Sequence, residues 1–226
     1  MIKAIVFDAY GTLISTGTGS VEAAQKILDL HGSAIPAKAF YADWKKYHRA
    51  HMDGLTQFVT EETIFRWDLE QLYEQYGLSG NATEDVHMML DTLGNRMAFP
   101  ESKEVVERLK RSMTVCIGST TDTEPLLRDL ARSNITVDHV FTSEGLRVYK
   151  PQKAFYETIL AALSLRPEEV LFVGDSLNDD IYGPRQAGMK ACWVNRKGQP
   201  SPVTPPDYEV ADLRGVPELL KEIEEG

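Results

Sequence analysis

Residues 1–13 read Met1-Ile2-Lys3-Ala4-Ile5-Val6-Phe7-Asp8-Ala9-Tyr10-Gly11-Thr12-Leu13. The apolar run 2–7 has the length of one buried strand, and it ends on a carboxylate followed by a glycine turn. Further runs of this kind lie at residues 113–117, 139–142, 170–173 and 191–194. Between them, residues 101–111, 124–133, 152–164 and 179–187 carry apolar positions at helical spacing. Near-continuous apolar strands alternating with helices predict a doubly wound α/β fold, with a mostly parallel sheet covered on both faces. A Pro-rich loop at 199–206, a short strand at 208–210 and a helix at 216–224 follow.

Residues from about 18 to 97 interrupt the alternation. Segments 21–31, 37–52, 61–76 and 82–96 all read as helices, with no strand between them. Phe40, Trp44, Tyr47 and His51 fall on one face of the second. The entry, Ser15-Thr16-Gly17-Thr18-Gly19-Ser20, and the exit, Ala98-Phe99-Pro100, read as hinges. The Gly-Thr-Gly stretch fits neither the dinucleotide nor the P-loop spacing, so a flexible linker is the better reading than a phosphate cradle. The expected division is a Rossmann-like core at 1–16 and 98–226, and a helical cap at 17–97.

The 226 residues leave room for one α/β domain with such an insertion. With 24 Lys and Arg against 34 Asp and Glu, the net charge of −10 excludes a non-specific nucleic-acid binder, which needs a basic face. No apolar run approaches the roughly 20 residues of a membrane span, and residues 1–8 lack the pattern of a secretory leader. Cys116 and Cys192 each sit in a short apolar run and read as buried, reduced thiols. The expectation is a cytoplasmic protein acting on a small molecule, with neither nucleic acid nor membrane as partner.

In open parallel sheets ligands bind beyond the carboxyl ends of the strands. The first strand delivers Asp8, Tyr10, Gly11 and Thr12 there, and the 113–117 strand delivers Ser119 and Thr120. Lys150-Pro151 lies beyond the third strand, and Gly174-Asp175-Ser176 with Asp180 follows the fourth. A single Asp after a strand is commonly a helix cap, and Ser119 or Lys150 alone reads equally as a cap or a solvated loop residue. Four such sets at one topological location point to a reaction centre.

The set resembles the haloacid dehalogenase-like hydrolase superfamily. The matching motifs are Asp8-x-Tyr10-Gly11-Thr12, Ser119, Lys150-Pro151, and Gly174-Asp175-Ser176 with Asp180, in the family's order. The resemblance implies Asp8 as a nucleophile that forms a covalent ester, splitting one hard step into two. Lys150 would keep it ionised, while Ser119, Thr12 and Thr120 would bind substrate oxygens.

Two branches of that family compete. Phosphatase members carry a second Asp two residues after the nucleophile and a magnesium-binding fourth motif. Members resembling (S)-2-haloacid dehalogenases carry Tyr at that position and use no metal. Tyr10, Tyr149-Lys150-Pro151 and Cys192-Trp193-Val194-Asn195-Arg196 look like the dehalogenases. Asp175 and Thr120, at positions where dehalogenases carry Ser and Asn, look like the phosphatases. The cap arginine of the dehalogenases has no evident counterpart. Lys45 and Arg49, at i and i+4, would grip an anionic substrate, although such a pair is also a common solvated face.

The reading that follows is magnesium-dependent hydrolysis of a small phosphate ester. Asp8 and Tyr10 act catalytically with Ser119 and Lys150, and the ion is held by Asp8, Asp175, Asp180 and the chain at Tyr10. The electrostatic reason is that three carboxylates meet a single ammonium, so a phosphate dianion needs an intervening cation. Metal-independent dehalogenation is the alternative. A weakly active regulatory or binding protein on the same fold is a third.

Overall fold

The computed structural model describes residues 1–200 and 202–225. Along the chain the elements are β1 (Ala4–Phe7), α1 (Gly19–Leu30), α2 (Ala37–Asp53), α3 (Glu61–Tyr76), α4 (Ala82–Asp85), α5 (His87–Leu90), α6 (Ser102–Leu109), β2 (Thr114–Ser119), α7 (Thr123–Arg132) and β3 (His139–Thr142). They continue as α8 (Ser143–Leu146), α9 (Lys153–Leu163), β4 (Val170–Gly174), a π-helical turn (Leu177–Tyr182), α10 (Gly183–Gln186), β5 (Lys190–Val194), β6 (Tyr208–Val210) and α11 (Val216–Glu225). Two compact units result, one of Met1–Ser15 with Met97–Gly226 and one of Thr16–Arg96.

The first unit is built on a six-stranded sheet in the order β3-β2-β1-β4-β5-β6. Every pairing is parallel. Side chains alternate across it, as a pleated strand requires. Ile5, Phe7, Val115, Ile117, Leu171 and Val173 pack with Val105, Val106 and Leu109 of α6, Leu126 and Leu130 of α7, and Val216 and Leu220 of α11. Ala4, Val6, Cys116, Val170 and Phe172 pack on the other face with Phe155, Tyr156, Ile159 and Leu160 of α9. Burial on both faces is why these strands read as continuous apolar runs. Cys116 and Cys192 are free and buried, and burial pushes both thiols up to about 12, which leaves them unreactive.

The expected helix over 179–187 begins instead as the π-helical turn. Ser176 caps the Asp179 N–H with its hydroxyl, and the Tyr156 hydroxyl donates to the Asp179 carbonyl that a regular helix would use. Pro184 has no N–H to offer the next carbonyl, and α10 starts at Gly183.

The second unit packs Ala24, Ile27 and Leu28 of α1, Phe40 and Trp44 of α2, and Leu69, Leu72 and Tyr73 of α3 around one core. The expected helix over 82–96 is replaced by the single turns α4 and α5, then by turns leading to Gly94 at φ 77°. The chain there shifts to tighter i−3 bonds, with Met89 N, Thr92 N and Leu93 N donating to the Val86, Met89 and Leu90 carbonyls at 2.9, 3.0 and 2.9 Å. The Asp85 carboxylate accepts from the Tyr73 hydroxyl at 2.6 Å and lies 2.8 Å from His31 Nε2.

Asp68 of α3 is fully buried, and it accepts from Trp44 Nε1 at 3.1 Å. His48 Nδ1 and His51 Nδ1 of α2 approach the same carboxylate at 2.8 and 2.7 Å. Asp68→Ala should therefore destabilise this unit by about 3 kcal/mol, because the buried Trp44 N–H and two partly buried imidazole nitrogens lose their partner. Urea unfolding followed by circular dichroism measures this, and a loss of half that or less would show the carboxylate to be dispensable.

Candidate active site

The end of β1 fixes the first carboxylate. Phe7 pairs with Ile117 of β2 and Val173 of β4, so Asp8 emerges between two neighbouring strands at the point where the strand order reverses. The Asp8 N–H still donates to the Val173 carbonyl at 2.8 Å. The chain then folds back tightly, with Leu13 N and Ile14 N donating to the Ala9 carbonyl at 2.9 and 2.7 Å. Gly11 sits in this turn at φ 101°, and a Cβ there would lie 2.6 Å from both Asp175 carboxylate oxygens. Only glycine meets both conditions.

Lys150 is the centre of the site. Its ammonium is buried and donates to Asp8 Oδ1 at 2.8 Å and to Asp180 Oδ1 at 2.7 Å. Asp180 Oδ2 accepts from the Ser176 N–H at 2.9 Å. A Cβ on Gly174 would fall inside the Asp180 carboxyl, so glycine is needed there for close approach. Asp175 is more open to solvent than Asp8 and Asp180. It accepts from Thr12 Oγ1 at 3.4 Å, and its backbone carbonyl accepts from Trp193 Nε1 at 3.1 Å. Ser119, the last residue of β2, points its hydroxyl at Asp8 Oδ1 over a long 3.5 Å. Thr120 Oγ1 is buried without a hydrogen-bond partner among the described residues, the condition of a donor or acceptor that a substrate oxygen would satisfy.

The charges are out of balance. Burial raises the Asp8 carboxyl above its ordinary value, Asp175 adds to the rise and Lys150 opposes it. Burial and then Asp180 raise Asp175. Burial pushes Asp180 up to about 7, with Asp8 adding and Lys150 opposing. Burial alone would lower Lys150, but the Asp180 and Asp8 carboxylates hold it above its ordinary value. One ammonium does not neutralise three carboxylates. Oxygens of Asp8, Asp175 and Asp180 all lie within 4.8 Å of one another, a hard-oxygen donor set that fits a divalent cation such as magnesium.

The Tyr10 side chain does not join this cluster. Its hydroxyl donates to Asp129 Oδ2 of α7 at 2.9 Å, and Asp129 is fully buried. The hydroxyl of Tyr10, a residue expected to act catalytically, thus has its acceptor in Asp129. Lys45 and Arg49, expected to bind substrate, belong to the second unit. There Lys45 Nζ lies 5.3 Å from the Tyr41 ring centroid, and Arg49 faces Asp53 at 3.8 Å. The sequence reading missed Asp129 altogether, and it used Arg196 only as part of a run. No local pattern marks Asp129, since it is one acid on an amphipathic helix.

A family model, haloacid dehalogenase-like hydrolase, matches residues 2–188. The chain belongs to this hydrolase family. An (S)-2-haloacid dehalogenase of Burkholderia cepacia is 26% identical over 98% of this chain and 93% of its own length. A glyceraldehyde 3-phosphate phosphatase of Pyrococcus furiosus is 30% identical over 99% of this chain and 93% of its own. The structure of a defluorinating L-2-haloacid dehalogenase superposes with a TM-score of 0.82 at 22% identity, over 97% of this chain and 95% of that one, which is a likeness of fold. The hydrolase therefore has relatives in both chemistries, and the phosphatase preference drawn from the motifs has no advantage among them. Among the described residues no helix is long and apolar enough to cross a membrane.

The Asp180 shift sets a pH dependence. Unfolded, this carboxyl titrates near 3.8; folded, it titrates near about 7. Between those values the folded state binds more protons, so this group's contribution to stability falls as pH rises through the window and is level above it. In chelator, the Tm difference of wild type minus Asp180→Asn should decline from about pH 4 to about pH 7. A difference that is flat across that range would contradict the crowded-carboxylate picture.

Proposed function

We propose that this hydrolase acts on a small phosphate ester through a covalent aspartyl phosphate at Asp8, with a divalent cation at Asp8, Asp175 and Asp180. The observation that carries the reading is the third carboxylate: Asp175 brings oxygen donors within 4.8 Å of those of Asp8 and Asp180. An anionic substrate meets net repulsion at such a cluster unless a cation offsets it. Bound there, magnesium would supply charge neutralisation for the substrate oxygens and the developing transition state.

The chain's own groups do the rest. Asp8 attacks phosphorus and the leaving oxygen departs. Lys150 holds the Asp8 carboxylate ionised and oriented from 2.8 Å. The Ser119 and Thr120 hydroxyls and the neighbouring main chain at the β2 end bind the phosphoryl oxygens. Water then attacks the phosphorus of the aspartyl phosphate, releasing phosphate and regenerating the Asp8 carboxylate. With the Tyr10 hydroxyl bound to Asp129, the phenol gives the leaving group no proton. That favours esters and anhydrides whose leaving group is weakly basic.

Dehalogenation is the second reading. The Burkholderia cepacia relative supports it, and so does the Tyr10–Asp129 bond, because a halide leaves without protonation. Asp8 would then attack carbon, with no cation needed.

A parallel screen of aryl, acyl and alkyl phosphates and of 2-haloacids, with magnesium or with chelator, separates the readings. The expected result is magnesium-dependent phosphate release that falls as the leaving group becomes more basic. Asp8→Asn should abolish it, and Asp175→Ser should weaken magnesium binding. Chelator-resistant halide release would establish the second reading in its place. Borohydride reduction during a single turnover should trap the aspartyl phosphate and convert Asp8 to homoserine, and an unmodified Asp8 would exclude the covalent step; in heavy-oxygen water, label in Asp8 would instead mark the carbon ester of the second reading.

A further inference from the structure

We propose that Arg196 is a positioning residue for the turn that carries the nucleophile; the proposal rests on the reading of Asp8 as that nucleophile. Arg196 stands two residues beyond the end of β5, and its guanidinium meets two segments of the first unit, at residue 12 and at residues 99–101. Nη2 donates to the Thr12 carbonyl at 2.9 Å. Nη1 lies 2.7 Å from Glu101 Oε1. The guanidinium carbon stands 3.7 Å from the centroid of the Phe99 ring. The side chains of Arg196 and Glu101 are mostly buried, at 19% and 15% exposure, so the pair is not a solvated surface bridge.

These partners lie on the two strands of chain that lead out of and back into this unit. The turn after Asp8 satisfies part of itself internally, with Gly11 N donating to the Ile14 carbonyl at 2.8 Å. Its outward carbonyls are held from elsewhere. The Leu13 carbonyl accepts from Phe99 N at 3.0 Å and from Ser102 Oγ at 2.7 Å. Ser15 N donates to the Met97 carbonyl at 2.9 Å. The Thr12 carbonyl is the one Arg196 takes. It belongs to the residue whose hydroxyl reaches Asp175 and whose peptide follows Gly11 at its positive φ.

Arginine suits this task. Its rigid plane donates an N–H to a carbonyl and sets its charge beside a carboxylate while its face stacks on an aromatic ring. A lysine ammonium keeps the charge but not that geometry. Glu101 and Phe99 anchor the guanidinium, and the guanidinium anchors Thr12. A displacement of the turn by about 1 Å would misplace Asp8 and cost on the order of 100-fold in rate.

The test compares Arg196→Lys with the swapped double variant Arg196→Glu/Glu101→Arg. The swap keeps opposite charges at the two positions, but Glu at 196 cannot donate to the Thr12 carbonyl. Arg196→Lys should lower kcat by about 10- to 100-fold with KM changed by no more than about twofold, and it should speed hydrogen exchange at the amides of residues 11–14. The swap should recover the Tm lost in Arg196→Lys while kcat stays low and the exchange stays fast. Wild-type exchange at the turn in Arg196→Lys, or a swap that restores kcat, would overturn the proposal. Hydrogen exchange needs no substrate, so it judges the anchor even if an active Asp8→Asn protein shows that the nucleophile lies elsewhere. Should Arg196→Lys fail to fold, the swap alone decides on the same readouts.

Discussion

A buried ammonium between two carboxylates organises this protein. Lys150 Nζ lies 2.8 Å from Asp8 and 2.7 Å from Asp180, and each of the three groups arrives from a different stretch of chain. Burying such charges is costly, and removing one partner typically leaves a destabilisation of about 3–5 kcal/mol. The sheet therefore has to deliver them together. Parallel register brings the two carboxylates together: Phe7 pairs with Val173, so the segments carrying Asp8 and Asp180 leave neighbouring strands, and Lys150 arrives from the loop between α8 and α9. The apolar faces of those strands supply the stability that the charged end consumes.

Close approach is the second constraint. Gly11 and Gly174 stand where a Cβ would collide with Asp175 and Asp180 respectively. The π-helical turn after Asp175 carries Asp180 back under Gly174, where the Ser176 N–H and the Lys150 ammonium both bind it. Burial, and after it the neighbouring carboxylates, raises all three carboxyls and leaves unfavourable charge in the resting site. A bound cation or an ionised lysine can relieve it, which links stability, metal affinity and chemistry at one place.

Both readings of the chemistry share a covalent intermediate at Asp8 and part company over what surrounds it. Asp175 asks for a cation, whereas the Tyr10 hydroxyl held by Asp129 withholds a proton. Substrates whose leaving group needs no proton satisfy both facts. The anchoring of the turn by Arg196 serves either reaction, since it acts on the position of Asp8 and not on the electrophile.

The architecture was legible from local pattern. Apolar strands broken by Gly and Asp, helices with apolar stripes, and the positions of Asp8, Ser119, Lys150, Asp175 and Asp180 at strand ends all depend on residues a few positions apart. The sequence alone thus determined a parallel sheet, an inserted helical segment and a crowded acidic end with one lysine. Tertiary structure decided where single polar groups found their partners. Asp129 takes the Tyr10 hydroxyl across 119 positions of chain, and Asp85 meets His31 across 54. Arg196 reaches Thr12 across 184. Periodicity records which face of an element is buried, because burial of apolar area needs no particular partner. A hydrogen bond or ion pair needs one specific atom at about 3 Å, and only the folded path of the whole chain says which atom that is.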